Sequence, residues 1–96
     1  MKAAPKEIDS FPVICYSPID ERHRFTRNTR QIVNGELMGA MSGLAICRAA
    51  ESEFYLFSCD SDWNTITDTW HDSVEDAKKQ AEFEYEGVGK TWINVA

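Results

Sequence analysis

The chain has too few cysteines, in the wrong pattern, for a covalent scaffold. Cys15, Cys47 and Cys59 are odd in number and widely spaced over 96 residues. A disulfide framework needs an even count, and with no Cys-x-x-Cys or His-x-x-x-His pair nothing nucleates a zinc site. Each cysteine has apolar or aromatic neighbours and is expected as a buried, reduced thiol acting as a small hydrophobe. Long hydrophobic runs are missing too, since none approaches the roughly 20 residues that span a bilayer. The opening Met1-Lys2-Ala3-Ala4-Pro5-Lys6 is basic but leads into no apolar stretch of signal-peptide kind. The cytoplasm is therefore the expected location, with no membrane partner.

Two further absences concern ligands. Gly39-Ala40-Met41-Ser42-Gly43 lacks both the Gly-Lys-Ser/Thr ending of a phosphate loop and the spacing of a dinucleotide fingerprint. Asp60-x-Asp62-x-Asn64 begins like a calcium loop, but Thr65 stands where glycine is needed and His71 where a glutamate is needed. No cofactor and no metal site are expected. Basic residues are scarce in the second half. Residues 51–96 carry three Lys against eleven Asp/Glu, a net of −8, whereas residues 1–50 carry seven Lys/Arg against five Asp/Glu, a net of +2. An acidic surface repels phosphate, which argues against nucleic acid and suits a basic protein partner.

What is present reads as one α+β domain over residues 11–96, preceded by a loosely attached polar arm over residues 1–10. Phe11–Tyr16 is β-prone. Asn34-Gly35 suits a type I′ turn between short strands. Leu44–Cys47 reads as a buried strand, and Phe54–Cys59, apolar on both faces, as one through the middle of the sheet. Asn64–Trp70 returns antiparallel, with Thr65, Thr67 and Thr69 assigned to solvent and Ile66 and Trp70 to the core. The expectation is an antiparallel sheet of four to five strands with one C-terminal helix, about 73–86, packed on one face.

That helix has the clearest signals. Ser73 is an N-cap with Asp76 three residues on, Glu75 and Asp76 suit the first turn, and Gly87 supplies a left-handed stop. Val74, Ala77, Ala81 and Tyr85 share one stripe at about 100° per residue. Phe83 points about 180° away from Val74. Glu82, Glu84 and Glu86 crowd the last turn, where negative charge opposes the helix dipole. An exposed Phe83 beside these carboxylates reads as a docking patch, with Asp60, Asp62 and a partly exposed Trp63 at the preceding turn as further contact residues. Arg22, Arg24, Arg27 and Arg30, with Phe25, offer a stacking platform on paper. In a chain of this acidity they read better as a solvated loop and strand face.

Phe54-Tyr55-Leu56-Phe57-x-Cys59-Asp60-x-Asp62-Trp63-Asn64, Asp68-Thr69-Trp70-His71 and Glu75-Asp76-Ala77-Lys78-x-Gln80-Ala81-Glu82-Phe83-Glu84-Tyr85-Glu86-Gly87 together resemble a group of small uncharacterised bacterial proteins. The resemblance covers roughly Val33 to Trp92 and implies no site residues. In size and acidity the chain is also similar to immunity proteins that neutralise bacterial toxins, an analogy only. The leading expectation is a non-catalytic binding protein that docks a basic partner through its acidic half. The alternative is a small enzyme or ligand-binding domain using the Asp68–Asp72 corner, with His71 beside Asp68 or Asp72 as an acid–base pair. A homodimer through a sheet edge or the Phe83 face is a third possibility.

Overall fold

The computed structural model describes residues 1–95; Ala96, the last residue of the expected domain, lies outside them. In chain order the elements are Glu7–Ile8 (β1), Phe11–Pro18 (β2), Arg24–Phe25 (β3), Ile32–Val33 (β4), Glu36–Leu37 (β5), Gly43–Ala50 (β6), Glu53–Cys59 (β7) and Thr65–His71 (β8). The helix Val74–Glu84 (α1), Tyr85–Glu86 (β9), a 3-10 turn at Val88–Lys90 and Ile93–Asn94 (β10) complete the chain. The main sheet is antiparallel with the order β1-β2-β6-β7-β8, and β10 pairs with β2 beside Cys15 and Tyr16. The expected α+β architecture is thus present, with the Phe54–Cys59 segment interior to the sheet.

The sheet has apolar side chains on both faces because its central strands are apolar at successive positions. On one face Leu44, Ile46, Phe54 and Leu56 meet Ala77, Ala81, Tyr85 and Val88. The two alanines let the helix axis lie close, while Val74 packs partly buried against the same cluster. Ser73 caps the helix through its Oγ, which accepts from the Asp76 amide at 3.1 Å. Gly87, at φ 100°, turns the chain where a Cβ would come within 2.9 Å of the Arg22 carbonyl oxygen. Asn34-Gly35, at φ 52° and 81°, joins β4 to β5 as expected.

The opposite face carries Ile8, Val13, Tyr16, Ala45, Cys47, Phe57, Cys59 and Trp63. Part of its cover is the N-terminal segment, expected as a loose arm. Asp9 and Ser10 both take positive φ, 51° and 71°, and fold β1 back on β2, with Ile8 buried. The Lys2 carbonyl accepts from Trp63 Nε1 at 2.9 Å. Trp63, expected to be partly exposed, is consequently only 6% exposed. Gly43 makes room for it: a Cβ there would stand 2.7 Å from the indole ring.

Trp70 is the converse correction. Strand alternation predicts it in the core with Ile66, yet it is 53% exposed. The cause is a register shift between Ser58 and Cys59, where Ser58 faces Thr67 and Cys59 faces Thr65, leaving Ile66 as the extra residue. Such a bulge changes which parity of the strand faces which side. Ile66 still packs on the helix-side cluster. Beyond it Thr69 lies opposite Leu56 on the helix face, and Trp70 lies opposite Tyr55 on the other.

Candidate functional site

The three glutamates expected in the last helical turn do not form a free acidic patch: Glu82 and Glu84 lie in that turn, and Glu86 lies beyond it in β9. Glu84 is 3% exposed, and its carboxyl oxygens accept from Gln31 Nε2 at 3.3 Å and Gln80 Nε2 at 2.8 Å. Glu82 reaches forward past the helix end, accepting from the Gly87 amide at 2.7 Å and the Gly89 amide at 3.0 Å. Glu86 pairs with Arg24 at 3.1 Å across β3 and β9. The expected charge–dipole conflict is thus met locally, by side chains that close the helix end instead of facing a partner. Glu82 and Glu86 stay exposed despite these bonds, and so does Phe83, at 51%, while its carbonyl accepts from Thr26 Oγ1 and Asn28 Nδ2.

The Asp60–Trp63 group is also differently employed. Asp60 builds its own turn: Oδ1 accepts from the Asp62 and Asn64 amides, and Oδ2 from Asn64 Nδ2. These bonds hold its carboxyl below the usual carboxylate range. Asp62 is exposed, and Trp63 is buried on the face opposite the helix. The seven residues expected at a partner surface are therefore not brought together as one patch.

A more coherent surface lies at the other end of β8. Phe54 pairs with His71, so the ladder brings the β6–β7 turn and the β8–α1 corner to the same end of the sheet. Trp70 stands there, with Asp68 exposed on the same face and Glu53 and Asp72 exposed at the ladder's end. None of these three carboxylates has an ion-pair partner among the described residues. Tyr55, opposite Trp70, stacks with Phe11 and Phe57 at 5.5 Å in both cases, so the indole borders an aromatic ladder. Among the described residues the outer edge of β8 is paired with no other strand.

The same corner does not assemble an acid–base pair. Asp68 lies opposite Phe57 on one face, whereas His71 lies opposite Phe54 on the helix face. His71 Nε2 instead meets Thr69 Oγ1 at 2.8 Å. Burial pushes its pKa down, against the opposing pull of Asp76, Glu84 and Asp72.

One hydrogen-bonded chain escaped the sequence reading. His23 Nε2 lies 2.8 Å from Thr91 Oγ1, which lies 2.7 Å from Ser17 Oγ, and Asp20 sits on the far side of the ring. Its order resembles a nucleophilic triad, but its details do not. His23 Nδ1 accepts from the Asp20 backbone amide, and the Asp20 carboxylate is gripped bidentately by Arg22, which holds its pKa down at about 2. The histidine side chain is wholly inaccessible. The chain ties the loop after β2 to the 3-10 turn. Nor do the thiols offer a nucleophile: burial pushes Cys47 and Cys59 up to about 12 and raises Cys15 as well.

No group of three metal-ligating side chains occurs among the described residues, and no helix there is long and apolar enough to cross a membrane. Compared with protein-family models, curated proteins and solved structures, the chain matches none.

Proposed function

We propose that this protein is a non-catalytic binding module that docks a basic protein segment at the Trp70 corner. The observation that carries the reading is a half-exposed tryptophan on an open strand edge, beside the uncompensated carboxylates Glu53, Asp68 and Asp72. An exposed indole supplies a large apolar contact that also attracts cations over its face. The carboxylates steer a positive partner toward it and reject an acidic one. The expectation of a basic partner is thereby kept, while its contact surface moves from the end of α1 to its beginning. A cytoplasmic location suits the reading, because all three cysteines are free and buried.

The test is to purify the chain with the products of neighbouring genes and follow retention as salt rises. A bound basic protein should be lost progressively with salt. Trp70→Ser should weaken it by about tenfold or more, the loss typical of a central aromatic contact. Retention that is indifferent to salt, to Trp70→Ser and to an Asp68→Asn/Asp72→Asn double variant would remove the reading.

A further inference from the structure

The only long basic segment of the chain encloses a concavity of its own. Phe25, Arg27, Thr29, Arg30, Leu37 and Met38 line a cavity of about 220 Å³ between the loop after β3 and the β4–β5 hairpin. Its apolar part comes from Phe25, Leu37 and Met38, and Leu37 is one of the large apolar side chains the fold leaves exposed. Four arginines occur between residues 22 and 30, and two are already matched. Arg22 grips Asp20, and Arg24 pairs with Glu86. Arg27 and Arg30, the two that line the cavity, have no ion-pair partner among the described residues. In a chain of net charge −6, two uncompensated guanidiniums beside one apolar cavity are conspicuous.

The walls are held in place. Thr26 Oγ1 donates to the Phe83 carbonyl at 2.6 Å, and Asn28 Nδ2 donates to the same oxygen at 3.0 Å. The Met38 amide donates to the Gln31 carbonyl at 2.7 Å, and Gln31 reaches the buried Glu84. Between these anchors Arg27 takes the left-handed backbone conformation, φ 61°, which few non-glycine residues adopt. Its guanidinium lies 5.2 Å from the Phe25 ring centroid. That conformation sets Arg27 beside Phe25 at the cavity wall, where its fork remains available to an acceptor.

We propose that this cavity binds a small organic anion, a carboxylate or phosphate monoester carrying a compact apolar body. Guanidinium groups recognise both head groups through paired, charge-assisted hydrogen bonds, and Leu37 and Met38 take the apolar part. The volume lies below the roughly 300–1,000 Å³ of most drug-sized ligand sites, so the body is small. A nucleobase is not the guest stacked on Phe25. Arg27 covers one side of that ring, and Tyr85 stacks against it at 5.3 Å.

The experiment is an NMR titration of the intact chain with phenyl phosphate, phenylacetate, inorganic phosphate and the neutral benzyl alcohol. Saturable shifts at the Arg27 and Arg30 Nε–H groups and the Leu37 and Met38 amides are expected with phenyl phosphate or phenylacetate, and which binds more tightly identifies the head group. Benzyl alcohol and inorganic phosphate should each bind about tenfold more weakly or worse, and Arg30→Gln should weaken the favoured anion by about tenfold. Leu37→Asp, on the exposed hairpin, should abolish binding without relying on the Arg27 loop. The proposal is overturned if no anion gives saturable shifts at these residues, if benzyl alcohol binds as well as the anions, or if both variants bind like the parent.

Discussion

Glu84 is the residue whose environment departs furthest from its appearance in the sequence. It falls among alternating acidic residues, yet it is buried and joins Gln31 to Gln80. Replacing it by alanine strands two amide donors at the helix–loop contact and should cost about 1–3 kcal/mol, measurable by denaturant unfolding. His71 sets a second expectation. Its folded pKa is lowered by burial, so the unfolded chain binds the proton more readily. The stability contributed by the neutral ring is therefore present above the unfolded value of 6.5 and is lost as pH falls through the folded value. His71→Gln should flatten the stability profile from about pH 7 into the mildly acidic range relative to the parent. One relationship at this scale was legible in advance: positions three apart on a strand face opposite ways, which already separates Asp68 from His71. The burial of Glu84 was not, because it depends on Gln31, 53 residues away.

Among the elements, the helix was the most readable because its determinants are local. Ser73 and the alanine stripe act within a few residues of one another and set the start and the buried face of the helix. Its end comes earlier than a Gly87 stop implies: α1 closes at Glu84, Tyr85–Glu86 leaves it to pair with β3, and Gly87 opens the 3-10 turn. The closing of its C-terminal end was less readable, since Glu82 reaches forward five and seven residues to amides of the next turn. Glu82→Ala should lower stability by about 1 kcal/mol in thermal or denaturant unfolding, by leaving those two amides without their acceptor. Strand β8 shows where pattern reading fails for a definite reason. Alternation gives the faces of a regular strand, but the extra residue at Ile66 changes the phase. Its one sign in Asn64–His71 is Asp68, a charged residue that alternation sets on the same side as Ile66 and Trp70. The exchange between Trp63 and Trp70 has two roots. The bulge turned Trp70 outward, while the space above Gly43 and the folded-back N-terminal segment received Trp63.

For the molecule as a whole, the sheet divides burial between two faces, and the three thiols lie within them. Native protein should react with a thiol reagent at pH 8 only as fast as it opens, whereas the denatured chain should react at all three cysteines. Cys47 and Cys59, pushed up to about 12 by burial, also contribute to the alkaline limb. Thiols of the unfolded chain ionise near 9.0 while the folded ones resist, so stability should decline as pH rises above that value. Charge organises the surface differently from the core. The acidic half places three uncompensated carboxylates, Glu53, Asp68 and Asp72, around Trp70, and the basic segment leaves Arg27 and Arg30 around a separate cavity. Composition made this polarity visible, but not its contact points, which depend on which ion pairs close within the fold.

The three tryptophans allow the Trp70 corner to be tested directly. In a titration of the ¹⁵N-labelled chain with an arginine- and leucine-containing peptide, each indole N–H reports separately. Trp63 is tied to Lys2, and Trp92 packs against the helix-side core. The expected result is a saturable shift of the Trp70 indole, with the Asp68 and Asp72 amides moving alongside it and affinity falling as salt rises. A Trp70 indole that stays still while other surfaces respond, or binding that ignores salt, would contradict docking at this corner.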